Sequence, residues 1–222
     1  MGYEEKMKYA IKGEVKKFVP RAAWKMCLDL VEERKVVLDV GCATGYLAWK
    51  LKEKGCNVFG LEIDSEMAEE AKLYCDKVVV GNAETTELPY KEYFDVILFV
   101  DVLEHLRNPL EVLTRFKNYL KKDGYIVISI PNVANWFVRL SLLLGRFNYS
   151  ATGCIILGPG HLRFFTLSTV RDMLRKAGFR EIHLDITVNV RGATRFPFIK
   201  ALAKLWKKLF AGQFIIKAVR DA

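Results

Sequence analysis

The run Val36-Val37-Leu38-Asp39-Val40 is followed by Gly41-Cys42-Ala43-Thr44-Gly45, and then by Leu47 and Leu51 at helical spacing. A stretch of β-branched and aliphatic residues is the mark of a strand buried on both faces of a parallel sheet. The two glycines supply a tight turn, and the turn opens directly into a helix. A second apolar run, Asn57-Val58-Phe59-Gly60-Leu61-Glu62, ends in an acid. Strand, glycine turn, helix and strand make a βαβ unit of the nucleotide-binding kind, and Glu62 stands where such sites place the acid that meets a ribose. The spacing of the glycines restricts the ligand further. A dinucleotide fingerprint, G-x-G-x-x-G, needs glycine at its second and third positions for the pyrophosphate and for helix packing. Here those positions hold Ala43 and Tyr46.

The turn reads Asp-x-Gly-x-x-x-Gly, which resembles the first motif of class I S-adenosylmethionine (SAM)-dependent methyltransferases. Further along, Phe94-Asp95-Val96-Ile97-Leu98-Phe99-Val100 is a strand followed directly by Asp101-Val102-Leu103-Glu104-His105-Leu106 and Asn108-Pro109. That string resembles the type-11 and type-23 small-molecule methyltransferases. His161-Leu162-Arg163-Phe164-Phe165-Thr166 is similar to a string of the type-23 family, found on enzymes associated with quinone, polysaccharide or lipid-linked substrates. The resemblance implies an α/β, Rossmann-like, seven-stranded and mostly parallel sheet with helices on both faces and an antiparallel last strand. It implies SAM as cofactor, S-adenosylhomocysteine as product, and cofactor contacts from Asp39, Gly41, Cys42, Ala43, Gly45, Glu62, Ile63, Asn82, Ala83, Phe99 and Val100. In this family the turn holding Asn82 often carries an acid that takes the adenine amine. A side-chain amide can still accept that bond, without the help of a charge. The alternative reading of Asn82 is a plain turn residue.

The expected acceptor is a small molecule or a lipid- or glycan-linked compound, methylated on a hydroxyl oxygen. His161 is the candidate base for its proton, against the alternative of a hydrogen-bonded loop histidine, and His105 is read as structural. The Asn/Asp-Pro-Pro-Tyr/Phe string that presents planar amines is missing after the fourth strand, which disfavours methylation of nucleic-acid bases. Two other readings stay open: a nicotinamide-dependent oxidoreductase, which the missing glycines oppose, and a SAM-binding or membrane-associated partner without turnover.

The chain is expected to be a single domain over 1–222, with N-terminal helices in 1–34, an acceptor-side insertion at 132–165 and a basic amphipathic helix at 195–211. No apolar run approaches the ~20 residues that span a bilayer. The charged start is not a secretory signal, and the five scattered cysteines point to a reducing cytoplasm. None of them has metal-ligand spacing, and no metal is expected. The net charge of +9 is concentrated after residue 190, where eight Lys/Arg face one acid. The body is therefore near neutral, which argues against a general polyanion-binding enzyme. In 196–210, lysines occupy one helical face and Phe, Leu and Trp the other. That pattern fits a lid packed on its own domain, and also a peripheral contact with anionic lipid.

Overall fold

The computed structural model describes residues 22–146, 160–188 and 206–221. Its sheet is organised around β1 (Val36–Val40), in which every side chain after Val36 is buried. β1 lies parallel between β2 (Asn57–Glu62) and β4 (Phe94–Val100), with Asp39 level with Gly60 on one side and Leu98 on the other. β3 (Lys77–Val80) extends the sheet beyond β2, and β5 (Leu120–Pro131) beyond β4, both parallel. β7 (Gln213–Arg220) is antiparallel to β5 and to β6 (Phe179–Thr187). The order among the described residues is β3-β2-β1-β4-β5-β7-β6. Strand order reverses between β1 and β4, and the crevice beyond the carboxyl ends of strands at such a switch point is where open α/β sheets bind ligands.

Successive strand residues point to opposite faces, and each face has its own core. Leu38, Ile97, Phe99, Ile126 and Ile128 pack with α4 (Pro109–Phe116) and α6 (Leu167–Lys176) through Leu113, Phe116, Val170 and Leu174. Val37, Val58, Leu98 and Val127 face α1 (Ala22–Asp29) and α2 (Tyr46–Glu53) through Ala23, Cys27, Leu47 and Leu51. α3 (Ser65–Ala71) is capped by Asp64, whose carboxylate accepts from the Glu66 and Met67 amides. α6 begins with a reciprocal cap between Thr166 and Thr169. Gly178, at φ +78°, closes the turn after it.

Lys121–Gly124 has the composition of a turn, yet it belongs to β5. Phe94 pairs with Leu120, and the register then shifts before Val96 pairs with Tyr125. The extra residues form a bulge, held by Lys121 Nζ on Asp95 Oδ1 at 2.8 Å. Gly124 is needed there because a Cβ would come within 2.7 Å of the Leu120 side chain and 3.0 Å of the Asp95 carbonyl.

In the insertion, Trp136–Leu143 is helical (α5), with Asn135 as its cap. Only Val138 is buried in it, and Leu143 is 82% exposed. Of the expected basic helix, α7 (Lys207–Phe210) is described, with exposed Trp206 before it. Residues 196–205, 147–159 and the expected helices before residue 22 lie outside the described residues.

Candidate functional site

The turn after β1 has three residues in the left-handed region: Gly41 at φ +69°, Ala43 at +47° and Gly45 at +83°. A Cβ on Gly41 would meet the Val102 side chain at 2.9 Å, and one on Gly45 would meet Ala71 Cα and the Tyr74 ring, both at 3.1 Å. These glycines are therefore required by backbone conformation and by packing on the neighbouring segments. Ala43 carries the strain of a side chain in this region, of order 1–2 kcal/mol. Its conformation is fixed by its amide, which donates to Glu62 Oε2 at 2.8 Å.

Glu62 is buried at the end of β2 and does more than wait for a ligand. Its Oε1 also accepts from the Ile63 and Asp64 amides at 2.8 and 3.0 Å. One carboxylate thus ties the β1–α2 turn to the β2–α3 turn through three charge-assisted bonds. Of its roughly four acceptor positions, about one is left for a ribose hydroxyl. The sequence reading missed this tie, because a strand-ending acid carries no mark of which backbone amides will surround it.

Asp39 is buried between β2 and β4, and among the described residues its Oδ2 has no hydrogen-bond partner. Burial, reinforced by the neighbouring Glu62 charge, pushes its pKa up to about 8. A buried carboxyl with an unfilled oxygen beside a glycine turn suits a cationic ligand group such as an amino acid's ammonium. The Cys42 thiol turns inward instead: it would touch a Cβ on Gly60 at 2.5 Å, with Cys75 Sγ on the same spot at 3.3 Å. A hydrogen bond with Cys75, followed by burial and the Asp39 charge, pushes its pKa upward.

Asn82 Oδ1 accepts from the Glu84 amide at 2.8 Å, a turn of the plain kind, which leaves the amide oxygen one further lone pair. The Ala83 carbonyl accepts from Arg115 Nη2. Ile63 is 66% exposed and offers an apolar surface next to Glu62. The Phe99 ring is fully buried against Phe116, with centroids 5.5 Å apart, so this position can present only its main chain to the crevice. Val100 is buried on the opposite face.

Asp101, which the sequence reading did not single out, follows β4 at φ +56°. It receives Trp24 Nε1 at 3.2 Å, Gln213 Nε2 at 2.7 Å and the Ser129 hydroxyl. These bonds join α1, β4, β5 and β7 at the ligand-binding end of the sheet. An acid immediately after the central strand was the available signal. Next to it, Glu104, His105 and His161 come together, the two imidazoles edge to face with centroids 4.8 Å apart. Burial lowers the His105 pKa, and burial followed by the Asp101 charge raises that of Glu104 well above its ordinary value.

A type-23 family model, described as a methyltransferase domain, matches residues 3–184. The chain belongs to this methyltransferase family. Methyltransferases of this family take SAM as cofactor and leave S-adenosylhomocysteine, so the family assignment supports SAM and opposes a nicotinamide cofactor. Among similar proteins, a ubiquinone biosynthesis O-methyltransferase of Yersinia enterocolitica is 31% identical over 114 residues, 48% of this chain and 47% of that protein. The homologous enzyme of Actinobacillus pleuropneumoniae is 30% identical over 121 residues, 47% of this chain and 52% of that protein. The methyltransferase thus spans about half the length of the curated relatives it matches. Its fold is that of a SAM-dependent methyltransferase from Thermotoga maritima, with TM-score 0.69 and 22% identity over 98% of this chain and 96% of that one. A SAM-dependent methyltransferase from Archaeoglobus fulgidus gives TM-score 0.65 and 21% identity over 97% and 98%. No helix among the described residues is long and apolar enough to cross a membrane.

Proposed function

We propose that this methyltransferase transfers the methyl group of SAM to a hydroxyl oxygen of a small or lipid- or glycan-linked acceptor. The observation that carries the cofactor half is the buried, unfilled oxygen of Asp39, which suits the ammonium of the methionine portion. Glu62 has one remaining acceptor position for the ribose. Ile63 and Ala83 flank the adenine, and the second lone pair of Asn82 Oδ1 takes its amine. The main chains of Gly41, Cys42, Ala43, Gly45 and Phe99, with Val100, line the rest. SAM supplies an electrophilic methyl on a sulfonium. The chain's part is position: holding the acceptor oxygen in line accounts for about 7–11 kcal/mol of barrier lowering. His161 receives the hydroxyl proton, a contribution of roughly 10²–10⁴-fold. The O-methyltransferase names of the relatives support oxygen as the methylated atom.

Acceptors carried in lipid fit a contact of the protein with anionic membrane. α5 carries exposed Phe137, Leu140 and Leu143, and its entry is tied to the segment with exposed Trp206 and Lys208, since Asn132 and Asn135 donate to the Lys208 and Phe210 carbonyls. Incubation of the protein with methyl-labelled SAM and a panel of hydroxylated small molecules, extracted lipids and glycans tests the reaction. An alkali-stable methyl ether is expected, and label only on nitrogen or carbon would refute it. Flotation with vesicles containing phosphatidylglycerol tests the contact. Equal recovery with neutral vesicles would refute it.

A further inference from the structure

We propose that Glu84 is a positioning residue through which bound cofactor fixes the acceptor-side loop carrying His161, a role that rests on the proposed placement of the adenine at Asn82 and Ala83. The turn after β3 is stiff within itself. Asn82 Oδ1 accepts from the Glu84 amide at 2.8 Å, and the Asn82 carbonyl accepts from the Thr85 and Thr86 amides at 3.0 and 2.8 Å. Gly81 lets the turn close, since a Cβ there would collide with the Thr86 side chain. From outside it has less support. β3 is four residues long and, among the described residues, pairs only with β2. A turn at the tip of a short edge strand keeps its place through side-chain anchors.

α4 supplies the anchor at both of its ends. Near its last turn, Arg115 Nη1 donates to the Glu84 carbonyl at 2.8 Å and Nη2 to the Ala83 carbonyl. At its start, Glu84 Oε1 accepts from the Arg107 and Asn108 amides, both at 2.9 Å. Asn108 occupies the cap position, yet its own side chain makes no capping bond. The Glu84 carboxylate fills that place from a distant turn, and a negative acceptor is favoured at a helix N-terminus.

The other side of the same segment holds the acceptor loop. The Glu104 carbonyl accepts from the Leu162 and Arg163 amides at 2.8 and 3.0 Å. His105 Nδ1 meets the Gly160 carbonyl at 3.0 Å, and Arg163 Nε donates to the Arg107 carbonyl at 2.9 Å. Arg107 thus gives its amide to the cofactor turn and its carbonyl to the loop of His161. An unbroken run of hydrogen bonds leads from Asn82 to that loop, with the Glu84 carboxylate at the crossing.

Folded proteins open locally in contiguous units, and a ligand that binds only the closed form suppresses each opening that would break its site. Joined by these bonds, the cofactor turn, residues 104–108 and the acceptor loop open together. A bound cofactor therefore steadies His161 as well as the adenine turn, and the donor binds before the acceptor.

The test is amide hydrogen exchange read by NMR, with S-adenosylhomocysteine as the probe and no acceptor present. At about 20 times the Kd of each protein, the ligand can slow the exchange of a coupled amide by up to ~20-fold. In the parent, Leu162 and Arg163 should slow at least fivefold, together with residues 82–86. In Glu84→Ala, residues 82–86 should still slow, and Leu162 and Arg163 less than twofold. Glu84→Gln keeps an oxygen for the two amides and should restore most of the effect. A merely structural role for Glu84 would leave the ligand's effect on the loop in place. Slowing of 82–86 without the loop in the parent, a result that needs no variant, would overturn the inference, as would full slowing of the loop in Glu84→Ala. Binding of the ligand with no slowing at 82–86 would instead remove the adenine placement, and this coupling with it.

Discussion

Replacing Asp39 with asparagine is expected to move stability and cofactor affinity in opposite directions. In the folded chain burial, together with the Glu62 charge, raises the carboxyl from 3.8 to about 8. Between those values the folded protein holds a proton that the unfolded chain has released, so stability falls as pH rises across the window. At ~1.36 kcal/mol per pKa unit, the penalty reaches as much as about 4 kcal/mol at pH 7 and more at pH 8. Asparagine has nearly the same shape and no charge to desolvate. Its amide would bring a buried donor without an acceptor, at a cost of about 1–3 kcal/mol. The net gain for Asp39→Asn at pH 8 is then about 2–4 kcal/mol, several degrees at ~2–4 °C per kcal/mol for a chain of this size. At pH 5 the parent carboxyl is protonated in the fold, most of the penalty is absent, and the variant should melt no higher than the parent. Binding of SAM runs the other way. Without the negative charge the ammonium loses a charge-assisted bond of ~1.5–3 kcal/mol, and affinity drops at least tenfold. Thermal melts at pH 5 and 8, with calorimetric titration of SAM at pH 8, measure both. A variant less stable than the parent at pH 8, or one that binds SAM equally well, would refute the reasoning.

Glu62→Ala removes the tie between two turns as well as a ribose contact. It should weaken SAM binding at least tenfold in calorimetry and also lower the Tm of the ligand-free protein, since three backbone amides lose their carboxylate acceptor. An unchanged affinity would remove Glu62 from the site, and an unchanged ligand-free Tm would contradict its bracing role. Gly45→Ala forces a side chain into φ +83° and against the Ala71 backbone at 3.1 Å. A loss of about 1–3 kcal/mol in urea denaturation is expected, and no loss would mean the turn can relax.

The features that sequence made legible were those written in local pattern. β1, β2 and β4 are continuous apolar runs, and the glycine turn and the Thr166 cap are marked by residue type. At the start of β5, Lys-Lys-Asp-Gly has turn composition, yet pairing with Phe94 and the Lys121–Asp95 ion pair hold it in the sheet as a bulge. The apolar runs place Asp39 in β1 and Glu62 at the end of β2, as the structure has them, but the amides around Glu62 depend on how two turns meet. Phe99 was correctly placed on the central strand, yet the direction of its ring depends on the parity of the strand register. The meeting of Glu104 and His105 with His161 depends on contacts between distant segments, which no periodicity records.

Val102 fills the volume that a side chain at Gly41 would need. It stands two residues before Glu104, so on the proposed reading the segment that follows β4 both packs on the glycine turn and borders the side where the acceptor enters. A lineage altering its choice of recipient through residues 102–105 would disturb the grip on the donor at the same stroke.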